Sequence, residues 1–247
     1  MPRQAREISS KGIYHIMLRG NNQQQIFEDQ DDNLRFIGIL KECKKISEYQ
    51  IFAFCLMGNH VHLVIKPNKE NLDKIFKRIG IRYVCWYNRK YNRIGHLFQD
   101  RFKSETVNDN RYLLTVVRYI HQNPVKAGLS NINYKFSSYN DYIRKTENRL
   151  TDVGFLFDII NRNNFIDFNN VYSDDACLEY KPHNSRMNDE KAKEIIAEIT
   201  GIATLNGFLT LDATKRDEKI QLLKNYGFPI KQISRLTGIS RGVIQKA

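Results

Sequence analysis

No stretch of this 247-residue chain approaches the roughly eighteen consecutive apolar residues of a membrane span. The opening Met1-Pro2-Arg3-Gln4-Ala5-Arg6-Glu7 also lacks the apolar core of a secretory leader. Cysteine is scarce. Cys43, Cys55, Cys85 and Cys177 lie far apart with no CxxC pair, so they read as buried thiols in a reducing cytoplasm rather than as a disulfide framework. No GxxxxGK[ST] loop is present to cradle a nucleotide. Acidic residues are in deficit, 27 Asp and Glu against 39 Lys and Arg, a net charge of +12. A surplus of that size repels itself unless a polyanion sits against it, which points to nucleic acid.

The positive charge is uneven. Residues 77–103 hold eight Lys or Arg against one acid, Asp100. Tyr83, Trp86, Tyr87, Tyr91, Phe98 and Phe102 interleave with these cations. Cations can track a phosphate backbone while aromatic faces stack on unpaired bases. Most of the aromatics fit a core equally well, so Arg82, Arg89, Arg93, Arg101 and Lys103 are the stronger DNA-binding candidates.

The pattern around this region is alternating. Ile13–Arg19 reads as a strand, about Asp31–Ser47 as a helix, and Ile51–Leu56 as a strand buried on both faces. A turn at Gly58-Asn59 leads into the strand His60–Ile65, a helix is expected over about Asn71–Tyr91, and Arg101–Val107 reads as a fourth strand. The order β-α-β-β-α-β is the ferredoxin-like, RRM-like split βαβ arrangement, an α+β antiparallel sheet with helices on one face and its first and third strands central. His60 and His62 then leave one face of a central strand, because successive strand side chains alternate. Two imidazoles make half of a metal site. With 6 histidines in 247 residues an HxH pair arises by chance often enough to require a second feature.

That feature is the next helix, capped by Asn108 or Asp109, striped by Leu113, Val116, Val117 and Ile120, and expected to end at Pro124. Tyr119 and Asn123, four apart, share one of its faces, so a phenol and a carboxamide oxygen point the same way.

Four stretches, Tyr14-His15-Ile16-Met17-Leu18-Arg19-Gly20-Asn21-Asn22, Cys55–Leu63 containing His60-Val61-His62, Gly95–Lys103, and Val117–Leu129 containing Tyr119 and Asn123-Pro124, closely resemble the HUH single-tyrosine transposases, and the branch of REP-associated tyrosine transposases in particular. The resemblance spans about residues 8–145, including Phe136-Ser137-Ser138-Tyr139. Gly58 departs from it, standing where the family usually has proline.

The resemblance implies that His60, His62 and Asn123 hold a divalent cation, Mg²⁺ or Mn²⁺, against a scissile phosphate of single-stranded or hairpin DNA, and that Tyr119 attacks it to give a 5′-phosphotyrosine. It adds Arg19, Asn21 and Asn22 as DNA contacts. His15, His96 and His121 read as structural hydrogen-bonding groups, and Tyr112 is the alternative nucleophile. Two other readings are a replication initiator or relaxase-type nickase, and a DNA-binding regulator with a vestigial nuclease domain.

Beyond residue 145 the composition shifts to Asn and Asp. One short helix is expected around Val153–Ile160, a loose connector over 161–185, and a helical region restarting with Asn188 as cap. The end of the chain reads as a helix-turn-helix, with Gly238 in the turn and Ser240 capping a last helix that would offer Arg241, Gln245 and Lys246 to duplex DNA. The expected domains are therefore 1–145, 146–186 and 187–247, acting as a monomer or homodimer.

Overall fold

The computed structural model describes residues 7–144, 148–175, 177–178, 189–202 and 204–246, so the expected cap Asn188 lies outside the described residues. Two compact units divide the chain, residues 1–179 and 180–247. None of the helices among the described residues is long and apolar enough to cross a membrane.

The first unit holds β1 (Ile13–Arg19), α1 (Gln30–Ser47), β2 (Gln50–Met57), β3 (His60–Lys66), α2 (Leu72–Lys90), β4 (Lys103–Val107) and α3 (Asn110–Lys126). Its sheet runs β2-β3-β1-β4, antiparallel throughout, so β1 and β3 are central as expected. Asp29 caps α1 in a reciprocal box with Asp32, and Asn71 and Asp109 cap α2 and α3 by accepting from the backbone N–H three residues on. Lys90, at the end of α2, bridges Asp29 and Asp32 at 2.7 and 2.8 Å and ties the two helices together.

Alternation then sorts the core. Ile16, Leu18, Val61, Leu63 and Ile65 pack under α1 and α2 with Phe36, Ile39, Ile75, Ile79 and Tyr83. The opposite face, with Ile13, Val64 and Cys55, is covered by α3 through Leu113, Val116, Val117 and Ile120. The two helices of the split unit thus share one face, and the added helix α3 closes the other. Tyr83, Tyr87 and Phe102 are buried, and Trp86, Tyr91 and Phe98 pack half-buried against the same core.

β2 is an edge strand, and its open side is satisfied by later sequence. Leu56 N–H donates to Phe136 O, Ser138 N–H to Phe54 O, and Phe54 N–H to Ser138 Oγ. A bulge at Phe52 breaks the β2–β3 register, and the Phe52 carbonyl it leaves over accepts from the Tyr142 hydroxyl at 2.5 Å. The segment Phe136–Tyr139 is therefore an edge cover.

Four sequence expectations are corrected. α3 does not end at Pro124 but runs to Lys126; the missing proline N–H falls so near the terminus that Ala127 N–H to Asn123 O still closes the turn. The stretch read as a connector contains α6 (Arg162–Asn170), which follows α4 (Tyr139–Ile143) and α5 (Val153–Phe157). Asn161 caps α6, and Phe165 stacks on Tyr142 at 4.5 Å between ring centroids, an anchor hidden by its Asn-rich neighbours. β4 begins at Lys103 rather than Arg101. Among the cysteines, Cys43 and Cys55 are buried, but Cys85 is exposed on α2 and Cys177 is half-buried.

The second unit is helical: α7 (Asp189–Thr200), α8 (Leu205–Leu209), α9 (Ala213–Tyr226), α10 (Ile230–Thr237) and α11 (Arg241–Lys246). Ile196, Phe208, Ile220, Leu223, Ile233, Ile239 and Ile244 form its core. Gly238 takes φ 74° between α10 and α11, the left-handed conformation expected of that turn.

Gly20 tests the junction after β1. A Cβ there would sit 2.1 Å from the Gln24 carbonyl oxygen, a backbone atom that cannot swing aside. Gly20→Ala is expected to lower stability by about 1–3 kcal/mol, seen as a reduced urea midpoint at unchanged slope.

Candidate active site

The register of β1 against β3 and β4 assembles the polar cluster. Arg19 lies opposite His60, Met17 opposite His62, and His15 opposite Glu105. His15, His60, His62 and Glu105 consequently share the face that α3 covers. Tyr119 descends onto them, its ring centroid 5.6 Å from that of His62 and 6.0 Å from that of His15, both edge-on. The His60 and His62 rings are 5.1 Å apart and perpendicular. Asn123, one turn along, donates its carboxamide N–H toward the Tyr119 carbonyl at 3.5 Å, which leaves Oδ1 as its outward end. Tyr119 is only 2% exposed, and Lys126 Nζ lies 5.2 Å from its ring centroid.

The hydrogen bonds beneath the histidines are specific. His60 Nδ1 is 2.7 Å from Asn59 Oδ1, and Asn59 Nδ2 donates to Gln23 O at 3.3 Å, which fixes the amide's orientation. His62 Nδ1 is 2.9 Å from His15 Nε2. His62 is 1% exposed, and its burial, followed by its His15 and His60 neighbours, holds its pKa well below the usual imidazole range. A neutral imidazole with its Nδ1 engaged offers Nε2 to a metal. Among the described residues no group of three or more His, Cys, Asp and Glu that could hold a metal is present.

The Tyr112 phenol is raised above its usual pKa range by burial first and then by a hydrogen bond to Glu105. Two residues overlooked in the sequence stand out, Glu105 and Lys126. Glu105 alternates with Lys103 and Val107 on the face of the histidines, a pattern present in the sequence whose partner strand was not fixed. Its carboxyl is held below its usual range by the His15 imidazole 3.6 Å away, against the opposing effect of burial. His121, by contrast, is structural: Nδ1 meets Asn169 Oδ1 at 2.9 Å and Nε2 meets Ser138 Oγ at 2.8 Å, linking α3 to α6 and the edge cover.

Within the first unit the candidate DNA-binding residues fall on both faces of the sheet. Arg19 is cross-strand from His60, Lys103 opens β4 opposite Met17, and exposed Asn21 and Asn22 follow β1 in a short 3₁₀ turn. Arg93 reaches Gln24 at 2.7 Å in the same region. Arg82 pairs with Glu42 of α1 at 2.7 Å, on the opposite face of the sheet from the histidines, and exposed Arg89 is in the last turn of α2. Arg101 stands 3.8 Å from Asp73. Arg241, Gln245 and Lys246 are exposed on α11 in the second unit.

A sequence model of the family described as "Transposase IS200 like" matches residues 8–123, the span that carries both histidines, the tyrosine and the asparagine. Over those residues the chain is similar to the IS200-like transposases. Two solved structures resemble it. One is a REP-associated tyrosine transposase bound to a REP hairpin, at 18% identity, covering 62% of this chain and 94% of that one with a TM-score of 0.49. The other is a protein from Deinococcus radiodurans R1 described as a transposase, at 16% identity, covering 49% of this chain and 97% of that one with a TM-score of 0.34. No curated protein matches the chain.

Burial makes the domain acid-sensitive in a definite direction. His121 is pushed from 6.5 to about 4 by burial, only partly opposed by its bond to Asn169, and His15 and His62 shift the same way. A folded-state pKa below the unfolded one means that the unfolded chain binds more protons between the two values. Stability is therefore complete above about 6.5 and is lost as pH falls toward about 4. The urea midpoint is expected to be level from neutral pH upward and to decline below it, with a shallower decline in His121→Gln.

Proposed function

We propose that this chain is a single-strand DNA endonuclease and strand transferase, of the kind carried by REP-associated tyrosine transposases, that cuts and rejoins DNA at hairpin or palindromic sequences. The single observation that supports it best is the packing of Tyr119, remote in sequence, against His62 at 5.6 Å between ring centroids, with the His60 ring 5.1 Å from that of His62. His60 and His62 through Nε2, and Asn123 through Oδ1, are a donor set that fits Mg²⁺ or Mn²⁺. When bound there, such an ion neutralises charge on the non-bridging oxygens of a phosphate.

The remaining steps belong to the chain. A phenol of pKa about 10 is ionised about one part in a thousand at neutral pH, a cost of about 4 kcal/mol for attack as phenolate. Lys126 Nζ lies 5.2 Å from the Tyr119 ring centroid, a cation beside the aromatic ring. The Tyr119 oxygen bonds to phosphorus as the bond from phosphorus to the 3′ oxygen breaks; the phenol's proton is lost and the departing 3′ oxygen leaves as a hydroxyl. Because the phosphodiester energy stays in the 5′-phosphotyrosine, a second 3′-hydroxyl can reverse the step on another strand without ATP.

Arg19, Lys103, Asn21 and Asn22 lie where a strand leaving the site would pass, and Arg93 extends that path. Arg82, Arg89 and Arg101 are better suited to flanking phosphates. For the second unit, α10 and α11 are read as a helix-turn-helix that presents Arg241, Gln245 and Lys246 to duplex DNA.

Incubation with a 3′-labelled single-stranded hairpin and Mn²⁺ is expected to give a denaturant-resistant protein–DNA adduct. Tyr119→Phe abolishes it, His60→Ala and His62→Ala reduce it by at least about a hundredfold, and Tyr112→Phe retains it. Hairpin binding by the wild type without any adduct would favour the regulator with a vestigial nuclease domain. Arg241→Ala and Lys246→Ala are each expected to reduce the salt slope of duplex binding by about one while leaving adduct formation intact.

A further inference from the structure

The proposal below rests on His62 as a metal ligand and concerns what holds that ligand ready. A histidine can offer Nε2 to a cation only if its single ring proton is on Nδ1, so something must select that tautomer. His62 Nδ1 faces a second imidazole, His15 Nε2, at 2.9 Å, and both rings are almost wholly buried. Two neutral imidazoles at that distance share one proton: one ring donates and the other accepts.

The groups behind His15 decide between the two arrangements. Its Nδ1 is buried without a partner within hydrogen-bond distance, and Glu105 Oε2 stands 3.6 Å away, directly opposite in the β1–β4 register. Glu105 is itself steadied by Leu178 N–H at 3.2 Å and by the Tyr112 hydroxyl. If His15 donated from Nε2 to His62, its bare Nδ1 lone pair would face a carboxylate, an unfavourable pairing in a dry site. If His62 donates from Nδ1 to His15 Nε2, the proton of His15 lies on Nδ1 and points at the carboxylate. Only the second arrangement turns an N–H, rather than a lone pair, toward the Glu105 carboxylate.

We propose that Glu105 and His15 are positioning residues that act as a relay, the carboxylate orienting His15 and His15 locking His62 in the Nδ1–H tautomer, so that Nε2 is directed toward the cation. Asn59 serves His60 in the same way through its amide oxygen. Two different supports, one carboxylate-anchored and one amide, therefore produce the same tautomer in both histidines.

The test reads the tautomer directly, without metal. In the full chain with ¹⁵N-labelled histidine, long-range ¹H–¹⁵N spectra are expected to show His62 as Nδ1–H. His15→Gln places an accepting side-chain oxygen near the same point and is expected to keep that tautomer. His15→Leu removes the acceptor, and Glu105→Ala removes its anchor; both are expected to shift His62 toward Nε2–H. Mn²⁺ affinity, measured by electron paramagnetic resonance, should fall about 10- to 100-fold in His15→Leu and Glu105→Ala but stay close to wild type in His15→Gln. Glu105 is partly exposed, so Glu105→Ala keeps the test informative if His15→Leu does not fold.

An Nε2–H tautomer in the wild type, or an unchanged Nδ1–H tautomer in Glu105→Ala, would overturn the relay. A wild type that binds no Mn²⁺ would instead overturn the metal reading, with the tautomer spectra still deciding the relay.

Discussion

Everything in the first unit depends on one register, the antiparallel pairing of β1 with β3 that sets Arg19 against His60 and Met17 against His62. Side chains on a strand have a period of two, so a slip of a single residue would move the histidines into the apolar layer under α1 and α2, and move Val61, Leu63 and Ile65 out from it. The apolar residues and the imidazoles are therefore specified together: burying one set on one face obliges the other set to face α3. The same pairing sets His15 diagonally beside His62, and the β1–β4 pairing sets Glu105 opposite His15.

α3 converts that polar face into a site. An open antiparallel sheet tolerates solvent on one side, but here Leu113, Val116, Val117 and Ile120 cover it and bring Tyr119 along. The helix is held at several points. His121 bonds to Asn169 and Ser138, Gln122 donates to the carbonyls of Asn169 and Val171, and Arg118 pairs with Asp175 at 2.6 Å. These contacts recruit α6 and the edge cover of β2 into positioning one tyrosine. A stretch with little apolar periodicity thus contributes to the geometry of the site.

The electrostatics divide between the buried and exposed parts. Burial keeps His15, His62 and His121 neutral, which suits ligands and hydrogen-bonding supports but would penalise a charge. The cations remain outside, at Arg19, Lys103 and Lys126 near the cluster and along α2. Several are partly compensated by Glu42 or Asp73, so the region of densest positive sequence is less uniformly positive as a surface than its composition indicates. Gly58 illustrates a local match of a different kind. A Cβ there would meet the Gln25 amide at 2.2 Å, while its carbonyl accepts from Ile26 and Phe27 N–H. The glycine and Gln25 fit each other where the family usually has a proline.

The sequence alone determined the order of elements, the shared face of His60 and His62, and the shared face of Tyr119 and Asn123, because each depends only on local periodicity of 2.0 or 3.6 residues. It also placed β1 and β3 at the centre, since the split βαβ order leaves few alternatives. It misjudged the end of α3, where a proline near a terminus costs little, and it passed over α6, whose single anchor, Phe165, sits among asparagines. Only the tertiary structure decided the roles of Glu105, His15 and Asn59, and the separation of Arg82 from the histidine face. Those depend on strand register and on which helix covers which face, and both are set by burial summed over the whole sheet rather than by any local stretch of chain.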